Sequence, residues 1–302
     1  MKVAYLILAH TDPQQFDRLL SALQIDGVTD FYVHIDKKTN ITVFMNAIAR
    51  HNVSVCKSRM RVFWGGYNMC MAIMELLKTV VESGVRYDRV FLLSGLDYPI
   101  KSNRQILDLC ELESDKQFIQ GYNITKGRMR KHLRKIMDYH FFMDFQGNQK
   151  IGRFLRFSNR IINRIIPLKK DDTIIVNDQK LEIFYASQWW GLTFDCVKYV
   201  YGLIISNPKI TKYFKYSFAP DELLIPTLVL NSPFAKSYNF VNQVKGLADV
   251  TYNHVIDYGC EMRVMTEEDY ERLINSDKIF FRKARTGVSD TLMDMLDSKR
   301  KY

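Results

Sequence analysis

Val3-Ala4-Tyr5-Leu6-Ile7-Leu8-Ala9-His10-Thr11-Asp12-Pro13-Gln14-Gln15-Phe16 is the stretch whose reading decides the fold. Its first seven residues are continuously apolar and of strand length. Such runs suit a strand buried on both faces, as in a parallel sheet. Asp12 is a good N-cap, Pro13 a good first helical residue, and Gln15 is placed to close a capping box. Phe16, Leu19, Leu20 and Leu23 follow at helical spacing, and residues 30–36 read as the next strand. The β-α-β pattern returns with a strand at 53–56, a helix at 67–82 and a strand at 89–94. Strands alternating with helices predict an α/β fold with a mostly parallel sheet. Further on, the pattern predicts strands at 173–176 and 183–185 and a helix at 194–205. A helix opened by Pro220 is predicted over 221–230, and one capped by Thr266 through Ile274. No Gly/Pro/Ser-rich linker divides the chain, so residues 1–302 read as one domain with an insert at about 123–172.

The insert holds the excess charge. The chain has 43 Lys and Arg against 33 Asp and Glu, a net +10. Between Lys126 and Lys170 stand thirteen basic residues and two acids, Asp138 and Asp144, so this segment alone carries +11. The rest is close to neutral, which excludes a uniformly basic nucleic-acid-binding surface; no RNA-binding motif accompanies the charge, and no nucleic-acid partner is expected. Residues 152–166 read as a helix ended by Pro167. Arg153, Arg156, Arg160 and Arg164 share one face, with Leu155, Ile162, Ile165 and Ile166 towards the other. A basic amphipathic helix suits an anionic membrane surface, so 151–170 is a candidate for peripheral membrane contact. A solvated helix covering the core fits the same pattern.

No window reaches the ~18–20 apolar residues of a membrane span. His10 and Asp12 interrupt the first apolar run too early for a signal peptide, so the expectation is a protein that is not secreted. Five scattered cysteines without a C-x-x-C argue against a disulfide framework or a zinc site.

In open α/β sheets ligands bind at the carboxyl ends of the strands. Here those ends carry His10 and Asp12, then Asp36 with Lys37 and Lys38, then Ser94-Gly95-Leu96-Asp97-Tyr98-Pro99. No G-x-G-x-x-G, P-loop, H-E-x-x-H or G-x-S-x-G occurs, and no Asp-x-Asp between apolar strands. Three further clusters stand out. Trp64-Gly65-Gly66-Tyr67 puts two glycines at a helix start, where bare N–H groups can approach an anion. Trp189 and Trp190 are adjacent aromatics that either stack on sugar rings or pack in the core. Pro220-Asp221-Glu222 sets two acids at a helix N-terminus, where the helix dipole alone would explain them.

Taken in order, these segments resemble the core-2/I-branching β-1,6-N-acetylglucosaminyltransferases and the peptide O-xylosyltransferases. The matching pieces are residues 4–10, 33–38, 62–66, 92–102, 187–193, 219–222 and 279–283. The resemblance implies a GT-A-like fold, a Rossmann-like nucleotide-sugar-binding sheet. It also implies transfer from a UDP-sugar, of N-acetylglucosamine or xylose type, with inversion. No cofactor or metal is expected, and UDP-sugar is the donor substrate. Glu222 matches the general base and Lys283 the diphosphate-binding lysine. The family's second diphosphate-binding arginine is replaced by His254, leaving Arg282, Arg263 and His254 as candidate second cations. His10 and Asp36 match the uridine pocket, Trp64 and Gly65 the donor segment, and Trp189 and Trp190 the acceptor-side wall. Lys126, Arg128 and Arg130 fall where the family keeps part of its acceptor contacts. Neither the membrane anchor nor the disulfides of the animal enzymes are expected here. The expectation is therefore a bacterial cytoplasmic version, peripheral on the inner face of the membrane, acting on a lipid-linked glycan acceptor in surface polysaccharide biosynthesis. A catalytically weak relative that binds sugar nucleotide or glycan is the alternative.

Overall fold

A computed structural model describes residues 1–126, 137–145, 149–165, 170–242, 244, 247–258 and 262–300. In chain order the first half runs β1 (Val3–Ala9), α1 (Pro13–Leu23), β2 (Thr29–Ile35), α2 (Met45–Arg50), β3 (Ser54–Val55), α3 (Asn68–Glu82), β4 (Arg89–Ser94), β5 (Asp97–Pro99) and α4 (Asn103–Leu112). Then come β6 (Gly121–Asn123), α5 (Gln149–Ile165), β7 (Thr173–Val176), β8 (Gln179–Glu182), β9 (Phe184–Ala186) and β10 (Gly191–Thr193). The chain continues with α6 (Phe194–Ser206), α7 (Pro208–Phe214), α8 (Leu224–Leu230), β11 (His254–Ile256), α9 (Tyr270–Ile274), β12 (Phe280–Arg282) and α10 (Asp290–Arg300).

The main sheet has the order β10-β4-β1-β2-β3 and is parallel except for β10. Its centre is the stretch read first in the sequence. Ala4, Leu6 and Leu8 of β1 face a core shared with α3, α6 and α8, while Val3, Tyr5 and Ile7 face one shared with α1, α2 and α4. Alternate side chains of one strand thus serve two layers of helices, which is why the run is apolar without interruption. This is the mixed α/β architecture, a mostly parallel sheet flanked by helices, that the GT-A-like resemblance implies. A second sheet, β11-β12-β5, lies beside it and brings Arg282 opposite Asp97 in register.

Three local readings differ from the sequence pattern. Asp12 does cap α1, its carboxylate accepting from the Gln15 N–H at 3.1 Å. The Gln15 side chain, however, is buried and donates instead to the Asp97 carbonyl at 3.1 Å. The helix predicted over 221–230 is broken: Pro220–Glu222 is a 3-10 turn and α8 starts at Leu224. Pro226 explains the break, because it lacks the N–H that would bond the Glu222 carbonyl and its ring would meet that carbonyl. The helix of the insert begins at Gln149, earlier than spacing suggested. Its expected stop, Ile166-Pro167, lies outside the described residues, as do Arg128 and Arg130.

The insert is fastened to the body by buried polar contacts. Lys170 is buried, with Nζ 3.0 Å from the Ser217 Oγ and the ring centroids of Tyr139 and Tyr213 within 5.7 Å. Burial pushes its ammonium down to about 7, against the pull of Asp138. Cys56, Cys70, Cys110 and Cys196 are buried free thiols; Cys260 lies outside the described residues.

Candidate active site

The carboxyl ends of β1, β2 and β12 meet. Asp36 follows β2 and is held by its own loop: its carboxylate accepts from the Lys38 N–H at 2.8 Å and stands 3.3 Å from the Lys38 Nζ. Arg59 braces this loop by donating to the carbonyls of Ile35, Asp36 and Thr39. His10 leaves β1 exposed to the cleft. Partial burial, and then the Arg282 charge, hold its imidazole below the ordinary range, with Asp36 pulling the other way and Lys283 and Lys38 adding to the depression. Four charged side chains from two strand ends therefore act on His10, at the end of a third, at the switch point of the sheet, where α/β folds bind nucleotides. Arg282 and Lys283 are neighbours across a cis peptide bond.

Behind them sits Asp97, fully buried. Its carboxylate accepts from the Arg282 Nη1 at 2.7 Å and from the Ser94 N–H at 2.7 Å, and lies 3.1 Å from the His254 Nε2. Burial alone would raise its pKa, yet Arg282 and His254 outweigh it and hold the carboxyl below the usual range. Trp189 closes the group, with the Arg282 guanidinium 4.6 Å from its ring centroid. Of the candidate second cations, Arg282 alone both reaches His10 electrostatically and belongs to this centre. His254 is buried against Asp97. Arg263 is spent on the surface, in ion pairs with Asp257 at 2.8 Å and Asp269 at 2.5 Å.

Glu222 stands on the 3-10 turn entered through Ala219, whose φ of 46° is left-handed. Three phenols feel the carboxylate. The Tyr185 hydroxyl hydrogen-bonds to it, and its charge raises the pKa of Tyr122, Tyr185 and Tyr258 after burial has done so. Tyr258 also feels Arg282, so Glu222 and the cationic centre act on one side chain. No sequence motif pointed to Tyr185; only pairing of β6 with β9 sets Tyr122 and Tyr185 side by side, their rings 5.4 Å apart.

The Trp64–Gly65 loop abuts that turn: Ala219 N–H donates to the Gly65 carbonyl at 3.1 Å. Gly65 has φ +75°, and a Cβ there would meet the Phe218 ring at 3.1 Å. Trp64 is 80% exposed, its ring 5.2 Å from that of Phe218, and so offers a free aromatic face at the rim. The anion expected at the following helix start is already there, and it is the protein's own. Asp144 of the insert accepts from the N–H groups of Tyr67 at 2.9 Å and Asn68 at 3.1 Å. A bare helix N-terminus attracts a carboxylate as readily as a phosphate.

Trp190 is 1% exposed and belongs to the core, so it cannot offer a face to an acceptor; Trp189 is 7% exposed and backs Arg282. Lys126 pairs with Glu182. Among the described residues no three His, Cys, Asp or Glu side chains gather as a metal site would need, and no helix is long and apolar enough to cross a membrane.

The sequence profile of the family described as Core-2/I-Branching enzyme matches residues 3–273. The chain belongs to the core-2/I-branching enzyme family. Among curated relatives, it is 24% identical to Xylosyltransferase 2 of Rattus norvegicus over 314 residues, covering 98% of this chain and 33% of that one. It is 23% identical to Xylosyltransferase of Ciona intestinalis, covering 99% and 34%. The chain thus spans about a third of the length of these curated relatives. The solved structure of S. aureus TarS 1-349 in complex with UDP-GlcNAc overlays 100% of this chain and 72% of its own, with TM-score 0.37 and 12% identity, too loose a likeness to carry an argument.

Proposed function

We propose that the protein is an inverting, metal-independent glycosyltransferase that moves a sugar of N-acetylglucosamine or xylose type from a UDP-sugar to a glycan hydroxyl. One observation carries the reading: the charges of Asp36, Lys38, Arg282 and Lys283 act on His10 at the strand ends, and those of Glu222 and Arg282 act together on Tyr258. In this reading Glu222 takes the proton of the acceptor hydroxyl as its oxygen attacks the anomeric carbon. The bond from that carbon to the β-phosphate oxygen breaks in the same step, and UDP leaves with the electron pair. Lys283 and Arg282 balance the charge that grows on the diphosphate. The buried carboxylate of Asp97 is already engaged by Arg282, His254 and Ser94, which supports a reading without a metal on it. The proposed acceptor is a lipid-linked glycan of a growing surface polysaccharide.

The test is UDP release from a panel of UDP-sugars in EDTA, with a glycan acceptor mixture, wild type beside Glu222→Gln. We expect EDTA-resistant release, lowered about 10²–10⁴-fold by the substitution, as for loss of a positioned general base. Release abolished by EDTA would overturn the metal-free step. A second reading, a weak or inactive relative that binds UDP-sugar, draws on the neutralisation of Arg263 and the tie of Arg282 to Asp97. Tight UDP binding without release from any donor would favour it.

A further inference from the structure

Helix α5 turns Asn159 and Asn163 to the protein and a row of apolar side chains to solvent. Asn159, 8% exposed, accepts from the Phe141 N–H at 2.9 Å. Asn163 clasps Tyr139 twice, accepting from its N–H at 3.0 Å and donating to its carbonyl at 2.7 Å. The outward side carries Ile151, Phe154, Phe157, Ile161 and Ile165, exposed by 48, 67, 59, 40 and 72%. Steps of three, three, four and four residues set these five on one face, about 20 Å long. Phe142 and Phe145, on the strap beneath, are also about half exposed. Ile165, placed by the sequence on the face opposite the arginines, points outward, and Asn159 and Asn163 are what dock. A single face of large apolar side chains on a soluble monomer marks an interaction site.

Charge identifies the partner. Residues 149–165 include Lys150, Arg153, Arg156, Arg160 and Arg164 and not one acid, within a segment of net +11. An apolar stripe on a basic, acid-free helix complements a surface with an oily interior and an anionic skin. A second copy would set one such segment against another and be repelled. We propose that this stripe is a docking surface that lays the protein on an anionic bilayer, its five side chains inserted among the lipid chains.

The helix is linked to the rim of the site. The strap it holds bonds onward from the His140 N–H to the Tyr216 carbonyl at 2.8 Å, and the His140 ring lies 5.6 Å from that of Phe218, which Trp64 abuts. Docking therefore holds the mouth near the lipid surface, where a lipid-linked acceptor would be met. The surface itself stands without the proposed reaction, and its test reads no activity.

The experiment is flotation of the full chain with phosphatidylcholine vesicles, with and without phosphatidylglycerol, for wild type and Phe154→Ser/Ile161→Ser. We expect wild type to float with the anionic vesicles and not with phosphatidylcholine alone. The double variant should bind at least about tenfold more weakly, since two inserted side chains are lost. Its melting temperature and UDP binding should be unchanged, which separates lost docking from lost folding. Equal flotation of wild type and variant would overturn the proposal. So would absence of flotation together with a concentration-dependent dimer that the variant abolishes, which would make the stripe a self-association face.

Discussion

Glu222 owes its setting to phenols rather than to a helix dipole. Tyr185 is 2% exposed and donates a hydrogen bond from its hydroxyl to the carboxylate, which fixes the carboxylate's direction. A hydrogen bond to a charged group contributes about 1.5–3 kcal/mol. If the proton transfer in the proposed reaction depends on that orientation, Tyr185→Phe should lower kcat about tenfold, a loss of about 1.4 kcal/mol, and leave the donor KM unchanged. Steady-state UDP release measures both. An unaltered kcat would show that the phenol only packs. Asp97 serves Arg282 in a similar way from behind, and its partners His254 and Arg282 come from consecutive strands of the second sheet.

At the scale of elements, the junction of the Trp64–Gly65 loop with α3 depends on two features that fit only each other. Gly66 has no side chain, and Asp144 fills the place one would take: a Cβ at Gly66 would stand 2.2 Å from the Asp144 Oδ1. Gly66→Ala should expel the carboxylate from the Tyr67 and Asn68 N–H groups and cost about 1–2 kcal/mol, the worth of a helix cap. In an Asp144→Ala background the same substitution should be nearly neutral, because the cap is already gone. Urea unfolding of the four proteins forms the cycle. Additive losses would mean that Gly66 is needed for another reason. The break before α8 has a comparable origin, since Pro226 forces the helix to restart and so leaves Glu222 on a turn rather than inside a helix.

For the molecule as a whole, acid should weaken the fold through His34. This side chain is 1% exposed and its Nε2 accepts from the Met60 N–H at 2.8 Å, a role only a neutral ring fills. Burial pushes its pKa down to about 4, with Asp36 opposing. Between pH 6.5 and 4 the unfolded chain binds the proton and the folded chain does not. The contribution is therefore complete above about pH 6.5 and is lost as pH falls towards 4, up to about 3 kcal/mol. His34→Gln can still accept from Met60 and does not titrate. Its urea midpoint should change less between pH 7.5 and 5 than that of wild type. Equal slopes would assign the acid sensitivity to other groups.

Local pattern determined the α/β class, the β-α-β alternation of the first half and the cap at Asp12, because strand and helix periods and caps are written within a few neighbouring residues. It also marked the strand ends where His10 and Asp36 sit, since a polar residue after a buried strand is visible in one window, whereas Lys283 came only from the family resemblance. Tertiary structure alone decided what those residues do to one another. Asp144 reaches the helix start across 77 residues, and Asp97 takes His254 and Arg282 across 157 and 185. The burial of Trp190 and the outward stripe of α5 are of the same kind. A side chain that could stack on a sugar, bind a phosphate or meet a lipid is assigned by what the fold packs against it, and no local spacing encodes a partner that far along the chain.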